Sequence, residues 1–171
     1  MVDLCLVRHG IAEERGSAWP DDRLRPLTAK GIERWEAGAT GLLSVFRPHV
    51  VLTSPLVRAR QTAALLANAG GGLAIVEMDS LADDDMGAVA RDVRATGAAA
   101  VAVVGHEPWM SQLLAWAITP GGSVYVDFKK AAAAMVHFDG PPEEGAGTLQ
   151  WFLSPSVLRL LGGLTSPNNR R

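Results

Sequence analysis

At 171 residues the chain is one domain's worth, long enough to bury a sizeable core, and its 48% apolar content is ordinary for a globular protein. Sixteen Lys and Arg against eighteen Asp and Glu leave a net charge of about −2, so no whole-chain field draws it to nucleic acid or a membrane surface. No stretch approaches the roughly 20 apolar residues of a membrane span. The start lacks the basic segment of a signal peptide, and its apolar run ends at Arg8. The expected location is the cytoplasm. Cys5 is the sole cysteine, which excludes an intramolecular disulfide and fits a small buried apolar residue.

The run Asp3-Leu4-Cys5-Leu6-Val7 is nearly continuous rather than alternating, the pattern of a strand buried on both faces. It ends in Arg8-His9-Gly10. A polar stretch to about Leu27, with Gly16, Pro20 and Pro26, reads as a loop over the mouth of that strand. Thr28 suits an N-cap, and Ile32, Trp35, Ala39, Leu42, Leu43 and Phe46 follow at helical spacing, so a helix is expected over 29–46, closed by Pro48. Gly38 and Gly41 lie inside it and each weaken it by about 1 kcal/mol relative to alanine, which packing must offset. Residues 50–53 form a second buried strand. Ser54-Pro55 ends it, and Pro55 fits the first turn of a helix carrying Leu56, Ala59, Ala63, Leu66 and Ala67 up to Gly70. Residues 73–77 read as a third strand. Asp83-Asp84-Asp85 mark a helix start, with Met86, Val89, Ala90 and Val93 as its apolar stripe and Gly97 as its C-cap. Residues 98–104 form a fourth buried strand ending in Gly105-His106-Glu107-Pro108, an echo of the first strand's ending. A helix from Pro108 to Ile118, strands over 131–138 and 148–153, and a short helix from Ser154-Pro155 to Leu161 complete the chain. Residues 1–161 are thus expected to be a single domain, with a flexible tail over 162–171. Strands alternating with helices argue for α/β with a mostly parallel sheet.

In a parallel sheet the ends of the first, second and fourth strands share one edge, where open α/β folds bind ligands. Arg8, His9, Arg58 and His106 all fall there. Two guanidinium forks and two imidazoles suit a phosphoryl group: arginine matches phosphate oxygens with paired charge-assisted bonds, a helix start beside Arg58 adds N–H groups, one histidine donates, and the other has a lone pair for phosphorus. A covalent step would split hydrolysis into two easier transfers. The nucleophile must be neutral. Nearby arginines favour that form of a histidine, each by about 4 kcal/mol at most at 4 Å and an effective dielectric near 20.

Leu6-Val7-Arg8-His9-Gly10 resembles the signature of the histidine phosphatase superfamily, the phosphoglycerate mutase-like fold. The stretch from Ser54 to Thr62 resembles its second motif, and Val104-Gly105-His106-Glu107-Pro108 its third. Arg25-Pro26-Leu27-Thr28 and Trp151-Phe152-Leu153-Ser154-Pro155 are similar to the short SixA-type branch, the phosphohistidine phosphatases. The resemblance spans residues 4 to about 158. It implies a three-layer α/β/α sandwich with a six-stranded sheet in the order 3-2-4-1-5-6, strand five antiparallel. It implies His9 as the nucleophile that becomes phosphohistidine, Arg8, Arg58 and His106 as ligands of the phosphoryl oxygens, and neither metal nor cofactor. Two departures stand out. Ile11-Ala12 follow the glycine, where many members carry a polar phosphate contact, and the chain is short for the insertion that supplies an acidic proton donor in larger members. Glu107 and Asp83 are the candidates for that role, with Asp84 beside them.

A basic phosphoramidate nitrogen accepts a proton readily, whereas an alcohol leaves poorly without an acid. The expected substrate is therefore phosphohistidine in a protein; the alternatives are a small phosphate ester, and a phosphate-binding module without turnover. The expected partner is a phosphorylated protein or small phosphorylated molecule, not nucleic acid or membrane. Other residues read more plainly. His49 and His137 are a loop and a strand position. The four histidines lack the spacing of a zinc site. Trp35, Trp109, Trp116 and Trp151 fit core or groove positions, Arg60 faces solvent, Arg25 is a candidate for screening the pocket, and Lys129 and Lys130 are surface charge or a dock for an acidic partner.

Overall fold

The computed structural model describes residues 1–82, 85–121 and 123–165. A six-stranded sheet runs in the order β3-β2-β4-β1-β5-β6, with β1 (Val2–Arg8), β2 (Val50–Thr53), β3 (Ala74–Glu77), β4 (Ala100–Gly105), β5 (Ala133–Phe138) and β6 (Thr148–Leu153). β1, β2, β3 and β4 pair parallel, and β5 runs antiparallel to both β1 and β6. Helices α1 (Ala29–Val45), α2 (Val57–Ala69), α3 (Met86–Ala95), α4 (Trp109–Ile118) and α5 (Pro155–Thr165) cover the sheet. This is the expected order and the expected α/β/α layering.

Alternate side chains of the central strands feed two separate cores, because successive residues of a strand point to opposite faces. Leu4 and Leu6 of β1 join Val101 and Val103 of β4 beneath α3 and α4, with Val93, Met110 and Leu114. Cys5 and Val7 join Ala102 and Val104 beneath α1, α2 and α5, with Trp35, Leu66 and Leu158. Leu4, Cys5, Leu6 and Val7 of β1 are each at most 1% exposed, which explains its unbroken apolar run. β3 is an edge strand, exposed along its length.

The α1–α5 contact explains a glycine that propensity alone disfavours. A Cβ on Gly41 would lie 1.8 Å from the Leu158 carbonyl oxygen, and one on Gly162 would lie 2.1 Å from that of Ala37. The two helix backbones touch, and only glycine permits it.

Most boundaries agree with the sequence expectation to within two residues. α2 starts at Val57, so Pro55 precedes it instead of occupying its first turn. A helix needs α-region dihedrals at its first residues, and Leu56, the capping position, is extended. α5 continues to Thr165, four residues past the expected end at 161, because Gly162 packs against α1 rather than ending the helix. Residues 166–171 of the expected tail, and Asp83 and Asp84, lie outside the described residues. Asp85 does cap α3, its side chain accepting from Ala88 N at 2.8 Å. No helix among the described residues is long and apolar enough to cross a membrane.

Candidate active site

The sheet register assembles the site. Arg8 pairs with Gly105 in the parallel β1–β4 ladder, and His9 N continues the ladder by donating to the Gly105 carbonyl at 2.9 Å. Ser54 N donates to Val104 O at 3.0 Å, which brings the end of β2 alongside. Arg8, His9, Arg58 and His106 consequently line one cavity of about 370 Å³ at the carboxyl edge of the sheet. The four predicted residues are together.

His9 is 4% exposed. Its Nδ1 lies 2.7 Å from the Gly10 carbonyl oxygen, which can only accept, so Nδ1 carries the proton. Its Nε2 accepts from Arg58 Nε at 3.2 Å. Both contacts require the same tautomer, a neutral ring whose lone pair is on Nε2. Burial pushes the His9 pKa down to about 3, with the charges of Arg58, Arg8 and His106 adding to the effect and the Gly10 bond opposing it. The arginines act in the direction expected from the sequence, and withdrawal from water is the larger cause.

Arg8 Nη1 donates to Phe128 O at 2.7 Å, which fixes its plane. Its Nε is buried and meets no acceptor among the described residues. That donor suits an incoming anion. Burial disfavours the Arg8 charge, and Glu107 and Asp127 support it.

Arg58, read from sequence as a pocket cation at an otherwise solvated helix position, is 3% exposed. Besides His9, it bonds Asp22 twice, through Nη1 to the backbone oxygen at 2.8 Å and through Nη2 to Oδ2 at 3.1 Å. Asp22 also accepts from Arg25 Nε at 2.9 Å and from Arg15 Nε at 3.0 Å. Burial acts to raise the Asp22 pKa, but the Arg25 bond and the charges of Arg58, Arg25 and Arg15 prevail and hold it below the ordinary carboxylate range. Arg25 does line the pocket, and its Nη1 also donates to Glu13 O at 2.6 Å.

Asp22 was not singled out from sequence, nor was Thr62 given a role. Thr62 Oγ1 accepts from Gly10 N at 3.0 Å and donates to Arg58 O at 2.8 Å, and Trp35 Nε1 donates to Thr62 O at 2.8 Å. One hydroxyl thus ties the His9 turn to α2. Gln61 Oε1 accepts from Leu27 N at 2.7 Å, and an isolated Ala12–Leu27 bridge closes the base of the loop. Arg58 and Thr62 share a face of α2 four residues apart, a spacing that places both toward His9 without distinguishing Thr62 from a small core residue.

Glu107 lines the cavity, and its carboxylate accepts from Ser111 Oγ at 2.6 Å and Ser111 N at 3.4 Å. Glu13 and Glu14, passed over in the sequence, line it too. Lys130 sits on its rim, Arg60 is an exposed partner of Glu77 at 3.0 Å, and His137 pairs with Asp3 at 2.6 Å, away from the cavity lining. Among the described residues no three His, Cys, Asp or Glu side chains gather so as to hold a metal ion.

The sequence profile of the Histidine phosphatase superfamily (branch 1) matches residues 4–96. The chain belongs to the histidine phosphatase superfamily. The superfamily profile covers Arg8, His9 and Arg58; His106 lies beyond it and is placed by β4. Among solved structures of similar fold, one described as the protein histidine phosphatase SixA complexed with tungstate is 30% identical with a TM-score of 0.75, covering 92% of this chain and 99% of that one. A phosphoserine phosphatase from Entamoeba histolytica in complex with 3-phosphoglyceric acid shares the fold at 16% identity and a TM-score of 0.69, covering 92% of this chain and 100% of the other. An uncharacterized protein of Picosynechococcus sp. is 45% identical over 69 residues, which are 40% of this chain and 41% of that protein's length.

Proposed function

We propose that this protein is a phosphatase that works through a phosphohistidine on His9, and that its substrate is phosphohistidine in a protein. The observation that carries the chemistry is the neutral His9 ring, its Nε2 turned to Arg58 in a cavity that also holds Arg8 and His106. Phosphoryl transfer asks chiefly for positioning and charge neutralisation. The phosphoryl group enters among Arg8, Arg58 and His106. Arg58 exchanges its bond to His9 for one to a phosphoryl oxygen, and the Nε2 lone pair forms the N–P bond as the bond to the leaving group breaks. Gly10 O, holding the Nδ1 proton, steadies the positive charge that develops on the ring. Water then attacks phosphorus in line, the N–P bond breaks, and the electron pair returns to Nε2 with release of inorganic phosphate.

Two points support phosphohistidine over an ester. Glu107, the sequence's candidate acid, has its carboxylate engaged by Ser111. A leaving imidazole is basic enough to take a proton from water, so its departure does not depend on a dedicated acid. The protein histidine phosphatase SixA is also the 30%-identical relative in fold.

A second reading, hydrolysis of a small phosphate ester, draws on Glu13 and Glu14 at the cavity wall, either of which could protonate an alcohol. Rates on phosphoramidate and on an alkyl phosphate separate the two. Under the first reading the phosphoramidate is faster by orders of magnitude and is indifferent to Glu13→Gln, Glu14→Gln and Glu107→Gln. Under the second, one of these changes abolishes alkyl phosphate turnover. The covalent step is tested by rapid acid-free trapping of ³²P-labelled enzyme: His9→Ala should carry no label, and label retained on that variant rejects the mechanism. Tight phosphopeptide binding with no phosphate release from any substrate would instead mark a binding module.

A further inference from the structure

A second cavity, of about 280 Å³, opens beside the catalytic one. Four cations line it: Arg34 of α1, Lys129 and Lys130 of the turn before β5, and Arg159 of α5. The hydroxyls of Ser154 and Ser156 at the start of α5 are hydrogen-bonded to each other at 2.9 Å, which leaves one O–H to donate into the cavity. Among the described residues no carboxylate lines it, although acidic residues outnumber basic ones in the chain. Among the described residues only Lys129 of the four has an ion-pair partner, Asp127 at 3.6 Å. The other three cations hold like charges around one concavity without compensation, which raises the local affinity for anions.

The two cavities share a wall. Lys130 lines both. The turn that carries it is stitched to the end of β1: Phe128 O holds Arg8 Nη1 at 2.7 Å, and Ala131 N donates to Arg8 O at 3.1 Å and His9 O at 3.0 Å. Ala131 takes a left-handed conformation (φ 64°) to make that contact. The basic cavity is therefore held at a fixed offset from the nucleophile, not on a separate surface.

We propose that this cavity receives an aspartate- or glutamate-bearing segment of the phosphorylated protein, adjacent to the phosphorylated residue, and so selects substrates with acidic surroundings. This rests on the reading of the substrate as a phosphorylated protein. The volume fits one or two carboxylate side chains, and the lone cations and the remaining serine O–H match carboxylate oxygens, which only accept. Binding of a flexible acidic segment by exposed cations is salt-sensitive, because such pairs are screened over a Debye length of about 8 Å at physiological ionic strength.

The test uses two synthetic peptides of equal length around one histidine, flanked by Asp and Glu or by Asn and Gln, phosphorylated with phosphoramidate. The enzymes are the wild type and Arg34→Ser/Arg159→Ser. The expected result is a threefold to tenfold higher kcat/KM for the acidic phosphopeptide at low salt, about what two partly exposed ion pairs provide. That preference should vanish in the double variant and at high salt, while turnover of free phosphoramidate stays at the wild-type rate. Equal rates on the two peptides, or a preference that survives in the double variant, overturns the proposal. If neither phosphopeptide is hydrolysed while small esters are, the substrate reading fails. The cavity is then judged by NMR titration with the unphosphorylated acidic peptide. Shifts confined to residues 34, 129–131 and 154–159 and lost in the double variant uphold it; no shifts, or equal shifts with inorganic phosphate alone, overturn it.

Discussion

Replacing His9 by asparagine should make the protein less sensitive to acid. Asparagine keeps an amide N–H near the position of Nδ1, so it can still donate to Gly10 O, but it does not titrate. In the folded wild type His9 has a pKa of about 3, whereas a histidine in an unfolded chain titrates near 6.5. The folded pKa is the lower one. Above pH 6.5 neither state binds the proton and His9 contributes no pH dependence. Below pH 6.5 the unfolded chain takes up a proton that the buried ring refuses, so stability falls until pH reaches about 3. The slope rises from about half of 1.4 kcal/mol per pH unit at pH 6.5 to the full value about a unit below, so the wild type should lose about 2 kcal/mol between pH 6.5 and 4.5 from this residue alone. Urea unfolding of both proteins at pH 7.5, 6.5, 5.5 and 4.5 gives the difference directly. Other titrating groups, including His137 with its pKa raised by Asp3 and Asp139, are common to both proteins and cancel. A stability difference that stays flat over this range would show that His9 is not held neutral by burial, and the nucleophile assignment would lose its physical basis.

Further outcomes follow from the same geometry. Asp22→Asn should lower kcat/KM about tenfold, since it removes a charge-assisted bond that orders Arg58 and Arg25; steady-state kinetics on phosphoramidate check this, and a gain in activity would show that Asp22 competes with phosphate instead of placing the arginine. Gly41→Ala should destabilise by about 2 kcal/mol, overpacking of about 3 kcal/mol against the Leu158 carbonyl outweighing a helix-propensity gain of about 1 kcal/mol, as read from the urea midpoint. Cys5, fully buried with its thiol pKa pushed up by loss of water, should not react with a disulfide reagent such as DTNB until the protein unfolds, and the rate of colour development should match the global unfolding rate.

The residues that meet at the sheet edge were legible because each directly follows or opens an element whose signal is strong. Arg8-His9 and His106 end apolar runs, and Arg58 begins a helix, so the topology alone brings them together. Asp22 and Thr62 were not legible for different reasons. Asp22 lies in a loop of mixed charge, where nothing in local periodicity says which of Asp21, Asp22, Arg23 and Arg25 turns inward; its role exists only once α2 has delivered Arg58 to it. Thr62 sits on an apolar helix face like any small core residue, and its hydroxyl matters only because Gly10 N arrives there from 52 positions away. For Gly41 the sequence showed that packing had to offset the helix penalty, as it does, but not which partner supplies it; the same α1–α5 contact, invisible along the chain, carries α5 past the expected end at 161. Cys5 needed no tertiary knowledge, because both faces of β1 are core.

At rest, the lone pair that would attack phosphorus is already occupied by the Arg58 Nε–H, and the rest of that guanidinium is held by the carboxylate and main-chain oxygen of Asp22. Under the proposed mechanism the nucleophile is therefore safetied. A stray electrophile without oxyanion character has no means of drawing Arg58 aside, whereas a phosphoryl group competes for the guanidinium and in doing so uncovers the nitrogen it will react with. In that mechanism arming and recognition are one event, so chemical selectivity is set before any bond is made.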